Sequence, residues 1–143
     1  MKKGGDKFAL LPLPEINASD EALYANTKFL EANKSAINIL LEELIQVWRE
    51  VNKNPDVIVE LRKKYKLLPN LPKEEIEEIL PYYREVVSTK AFSNNGGGVE
   101  AVKADFEFYG FSGTIKGDTS KLKVEDFWQL EPLNKAIAKL GKM

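Results

Sequence analysis

Tyr24, Asn26 and Thr27 place a phenol, a carboxamide and a hydroxyl within four residues. Such groups hold a small polar or anionic solute through hydrogen bonds. They fall where a short apolar run, Leu23-Tyr24-Ala25-Asn26, gives way to a helical pattern. Ligands of open α/β proteins gather at strand ends of this kind. The same residues also spell a capped helix start, and both readings stay open at this point.

Other candidates read more plainly as structure. Gly96-Gly97-Gly98 precedes a helix, and its amides could meet an anion. It lacks the spaced glycines and the lysine of a phosphate loop, so a flexible connection is expected. Glu74, Glu75, Glu77 and Glu78 could bind a metal in principle. Neighbouring helical residues point in different directions, however, so a solvated face is expected and no cofactor is. Tyr82, Tyr83, Phe106, Phe108 and Tyr109 could stack on a ligand, but helical spacing assigns them to a core. Trp48 and Trp128 get the same assignment. Arg49, Arg62 and Arg84 could each grip an anion with a forked pair of bonds. Each lies on a charged helix, which predicts a surface position.

Composition narrows the classes further. The chain has 143 residues, 43% hydrophobic and 30% charged, within the range of one globular domain. With 21 basic against 22 acidic residues, it has no basic excess for nucleic acid. It contains no cysteine and no histidine. Disulfides, thiolate zinc sites and cysteine nucleophiles are excluded, and the commonest general base is missing. A non-enzymatic role is the expectation. No apolar stretch is long enough for a membrane span. Met1-Lys2-Lys3 has the charge of a secretory signal, but Gly4-Gly5-Asp6-Lys7 follows in place of an apolar core, so no signal peptide is read.

The elements that must position these residues follow from periodicity. Phe8-Ala9-Leu10-Leu11 and Leu23 to Asn26 read as short strands. Thr27 can cap a short helix through Glu31. From Lys34 to Asn52 the positions Ile37, Leu40, Leu41, Leu44, Trp48 and Val51 form one helical stripe. Asn54-Pro55 ends that helix and opens the next, which carries Val57, Ile58, Leu61 and Tyr65. A third helix opens at Leu71-Pro72, with Ile76, Ile79, Leu80, Tyr83, Val86 and Val87 in its stripe. Pro81 should kink or divide it. Val99, Val102, Phe106 and Tyr109 mark a fourth. Val124 to Leu130 and Leu133 to Leu140 read as two short helices, the last ending at Gly141. The expected core includes Leu40, Leu44, Trp48, Leu61, Ile79, Tyr83, Phe106 and Phe127.

The order of these pieces resembles the carboxyl-terminal part of ABC-importer substrate-binding proteins of the nitrate, sulfonate, taurine and thiamine-precursor group. The resemblance is carried by Ala22 to Leu30, by Glu31-Ala32-Asn33-Lys34 and the long helix after it, and by Asn54-Pro55. The later helix from Val99 to Tyr109 and the closing segment Val124-Glu125-Asp126-Phe127-Trp128 complete it. It covers residues 7–140.

The resemblance implies an α-rich α/β fold, the carboxyl-terminal portion of a two-lobe periplasmic-binding-protein-like architecture. That portion would be mostly helical with two or three short strands. Residues 1–143 would form a single partial domain, with a strand-containing segment at 8–27 and a helical segment at 28–143. It implies a solute-binding component of an importer, acting outside the cell membrane, with Tyr24, Asn26 and Thr27 near the ligand. The partners it implies are a small polar or anionic solute and a membrane permease. Both would be reached through a longer parent that starts upstream of Met1. Unpaired strand edges would also allow self-association. The alternative reading is a stand-alone small helical protein-interaction module.

Overall fold

The structure, a computed structural model, describes residues 22–143. Six α-helices follow one another: α1 (Thr27–Ala32), α2 (Lys34–Lys53), α3 (Val57–Tyr65), α4 (Lys73–Ser88), α5 (Val99–Phe111) and α6 (Glu131–Leu140). Two 3₁₀ turns, Thr119–Lys121 and Val124–Asp126, bridge α5 and α6.

The described residues contain no strand, which corrects the expected α/β class. Leu23 to Asn26 are irregular and exposed rather than paired in a sheet. A strand is defined by a ladder to a neighbour, and no described segment offers one. The other expected strand, Phe8 to Leu11, lies outside the described residues.

Local chemistry accounts for the helix boundaries. Asn26, not Thr27, caps α1: its Oδ1 accepts the Lys28 amide at 2.9 Å. Asn54 closes α2 through its own amide, which donates to the Glu50 carbonyl at 2.8 Å. Its Oδ1 accepts the Asp56 amide at 3.1 Å, so one residue ends a helix and shapes the turn into α3. Lys66 ends α3 with φ 51, the left-handed turn that glycine usually makes. Pro72 stands before α4, and Glu74 and Glu75 in the first turn complement the helix dipole. Pro81 lies inside α4, which nevertheless continues undivided to Ser88. The expected helix at 124–130 is shorter, a single 3₁₀ turn. By contrast α6 starts earlier than expected, at Glu131, with Pro132 in its first turn.

The most extensive packing is between α2 and α6. These helices run in the same direction. Lys34 at the start of α2 lies within electrostatic reach of Glu131 at the start of α6. Further along, Lys139 Nζ meets Glu42 at 2.6 Å, and Arg49 meets the end of α6. Ile45, Val51 and Ala136 are buried on these two helices, with Val86 of α4. Trp48 stacks on Phe92 with centroids 4.0 Å apart, and Tyr83 approaches the same ring at 6.4 Å.

A second cluster joins Val102 and Phe106 of α5 to Val124, flanked by Ile115, Leu122, Trp128 and Leu130. The glycine turn connects α5 to α6: a Cβ on Gly96 would come within 2.8 Å of a Leu133 methyl. Of the expected core, Phe106 is buried, while Leu44, Trp48, Leu61, Ile79 and Tyr83 are half-buried. Leu40 and Phe127 are corrections, at 47% and 62% exposed. The α2 stripe is longer than the surface that the described helices supply to cover it. Phe127 falls just past the Val124–Asp126 turn, and its ring meets Phe106 edge-on at 5.4 Å without being enclosed.

Candidate functional site

Tyr24, Asn26 and Thr27 sit on the approach to α1 and in its first residue. Tyr24 is 89% exposed. Asn26 Oδ1 is engaged by the Lys28 amide, so the carboxamide presents its NH₂ group outward. Thr27 is exposed at the helix start. The three share one short segment but line neither of the two best-formed hollows among the described residues. Exposed apolar side chains surround them in sequence: Leu23 at 66%, Phe29 at 53%, and Ile39 at 60% beside Leu40 on α2.

A more developed concavity lies elsewhere. An open groove of about 750 Å³ runs between α5, the 122–130 segment and α6. Val99, Leu122, Val124, Trp128 and Leu130 contribute apolar surface, and Lys103 and Lys135 contribute charge. Glu131 also lines it. A hydrogen bond and the charge of Lys135, 2.7 Å away, hold the Glu131 carboxyl below the ordinary range. A carboxylate that ionises more readily is the opposite of one poised as a general acid. The groove offers apolar contact rimmed by charge.

The densest polar constellation is one that the sequence reading placed at the surface. Arg49 is half-buried and ties together three segments. Its Nε donates to the Asn94 carbonyl at 2.9 Å. Its terminal nitrogens reach the Leu140 carbonyl at 3.3 Å, the Gly141 carbonyl at 2.6 Å and Asn95 Oδ1 at 3.4 Å. One turn on, Asn52 donates to the Phe92 carbonyl at 3.0 Å and to Asn94 Oδ1 at 2.7 Å. Arg49 and Asn52 are three apart and so share a helix face. An arginine and an asparagine interrupting an apolar stripe, with Asn94-Asn95 downstream, was the available signal. Four hydrogen bonds from the guanidinium go to protein oxygens, which makes this a structural knot.

The remaining candidates separate in the same way. Arg84 pairs with Asp56 at 3.0 Å, and Arg62 donates to the Leu68 carbonyl at 3.0 Å. Gly96, Gly97 and Gly98 all have positive φ, 71 to 78, so the tight turn into α5 requires glycine. No three carboxylates gather as a metal site among the described residues. Tyr82 and Tyr83 meet edge to face, as do Phe108 and Tyr109.

A scan against protein-family models, a search of curated proteins and a search of solved structures each find no match to this chain.

Proposed function

We propose that this chain serves as the carboxyl-terminal portion of a solute-binding component of an ABC importer, of the nitrate, sulfonate, taurine and thiamine-precursor type. The observation that carries the reading is the exposed apolar surface of residues 23–40. Leu23, Tyr24, Phe29, Ile39 and Leu40 are all exposed within eighteen residues. Exposed apolar side chains concentrated in one stretch suit a face that another body covers. The stretch that resembles the family's return segment, Ala22 to Leu30, is exposed from Leu23 to Phe29. In this reading the remainder of the solute-binding protein covers that face, and Tyr24, Asn26 and Thr27 then border the solute. The solute is small and polar or anionic, matched to phenol, amide and hydroxyl donors. The protein delivers it to a membrane permease.

Calorimetric titration tests this reading. The chain alone, and the same chain joined to the polypeptide encoded upstream of it, are titrated with nitrate, taurine, other sulfonates and pyrimidine thiamine precursors. The joined protein is expected to bind one of these. Tyr24→Ala should weaken that binding roughly tenfold, the loss of one well-placed contact. Asn26→Asp keeps the cap but replaces the amide, and separates solute contact from helix stability. The chain alone is expected to bind none of the panel. Tight binding by the chain alone that survives both substitutions would overturn the proposal. So would a joined protein that binds none of the panel.

A further inference from the structure

At the end of α3 the chain forms a protruding knuckle in which every residue from 63 to 70 is exposed. It carries Lys63, Lys64 and Lys66 beside three large apolar side chains: Tyr65 at 60%, Leu67 at 52% and Leu68 at 63% exposed. Among the described residues none of these lysines pairs with a carboxylate. Lys64 lies over the Tyr65 ring at 5.1 Å. Asp56, at the start of the same helix, is taken by Arg84.

The backbone here is as unusual as the surface. Lys66 and Leu68 both have φ 51, left-handed values uncommon for residues other than glycine. Arg62 holds the turn by donating to the Leu68 carbonyl, and the Leu67 amide donates to the Arg62 carbonyl at 3.1 Å. Two leucines are thereby held in water, in a strained turn, next to three ammonium groups that no carboxylate among the described residues pairs. Cationic heads with flexible apolar stems, an interfacial tyrosine and exposed leucines are the chemistry of a surface that meets anionic lipid. The lysines answer the headgroup charge, and the leucines and tyrosine enter the acyl boundary. An acidic protein surface would answer the lysines but not the adjacent leucines.

We propose that the 63–68 knuckle docks the protein on an anionic membrane surface. The proposal goes beyond the solute-binding reading and stands on a different part of the chain.

The test is cosedimentation of the whole chain with vesicles of phosphatidylcholine alone or mixed with phosphatidylserine, at low and at physiological salt. Binding to the anionic vesicles should exceed binding to neutral ones at least roughly tenfold and should weaken with salt. Lys63→Glu, Lys64→Glu and Lys66→Glu together should abolish it. The same three-charge change at Lys103, Lys116 and Lys121 should leave most of it, which separates the knuckle from net charge. Leu67→Ser with Leu68→Ser should weaken it at constant charge. Among these lysines only Lys103 and Lys121 meet a described carboxylate, all of the positions are exposed, and circular dichroism verifies each fold. Equal binding to both vesicle types, or binding unchanged in the triple-knuckle variant, would overturn the proposal. Capture of soluble polyglutamate without vesicle binding would overturn it in favour of an acidic protein partner.

Discussion

At the residue scale, Arg49 is the side chain on which most depends. A hydrogen bond to a charged group contributes about 1.5–3 kcal/mol, and bonds sharing one guanidinium do not add. Removing it also leaves the Asn94, Leu140 and Gly141 carbonyls short of a donor. Arg49→Ala should therefore lower stability by about 2–4 kcal/mol, measured from the urea midpoint. Arg49→Lys keeps the charge but not the fork and should fall between. A loss below about 0.5 kcal/mol, the range of ordinary surface substitutions, would show that the knot is ornamental.

Glu131 gives the prediction in pH. The Lys135 hydrogen bond and charge depress its carboxyl in the folded chain. The stabilisation is thus present above the ordinary carboxylate range and is lost as pH falls through the depressed value. Asp118 behaves alike for a different cause. The Ser120 hydroxyl, then the Ser120 amide, hydrogen-bond to its carboxylate. Both groups lie at the surface, so the effects are small and screened by salt. In an NMR titration, Lys135→Met should return Glu131 towards the ordinary value and leave Asp118 where it is. An unmoved Glu131 would contradict the assigned cause.

At the scale of elements, Gly110 tests how α5 meets the turn that follows it. A Cβ there would lie 2.6 Å from Thr119 Cγ2 and 3.3 Å from its hydroxyl. Helix propensity alone favours Gly110→Ala by about 1 kcal/mol. Overpacking of a tight contact costs about 1–3 kcal/mol. Thermal denaturation should show Gly110→Ala as neutral to destabilising. Adding Thr119→Ser, which removes the clashing methyl and keeps the hydroxyl, should turn the pair stabilising. A stabilising single substitution would mean that the contact is not tight.

Legibility divides along the same line between local and tertiary causes. The long helices were readable because caps, prolines and apolar spacing act within a few residues. Asn54 and Gly141 fall where the pattern puts them. The 23–26 segment was misread because four apolar-leaning residues specify no partner, and a strand exists only with one. Leu40 and Phe127 were misplaced because a stripe says which face is apolar, not how far the neighbouring helices extend. Arg49 was missed because a half-buried knot depends on loops brought in from positions 94 and 140. For Tyr24, Asn26 and Thr27 the sequence gathered polar groups, and the structure assigns Asn26 a cap.

At the scale of the whole molecule, two modest apolar clusters hold the six described helices, while Phe29 of α1 and Ile39 and Leu40 of α2 leave an apolar face exposed among the described residues. A stand-alone interaction module would keep that face for a transient partner. A portion of a solute-binding protein would have it permanently covered. The amides of Leu23 to Asn26 distinguish these cases, because they donate to no other described residue. Hydrogen exchange of residues 22–30, in this chain alone and in the same chain joined to the polypeptide encoded upstream, is the most direct measurement. The account predicts fast exchange in the chain alone and at least roughly hundredfold protection in the joined protein, the slowing expected when local opening costs a few kcal/mol. Fast exchange in both would contradict it.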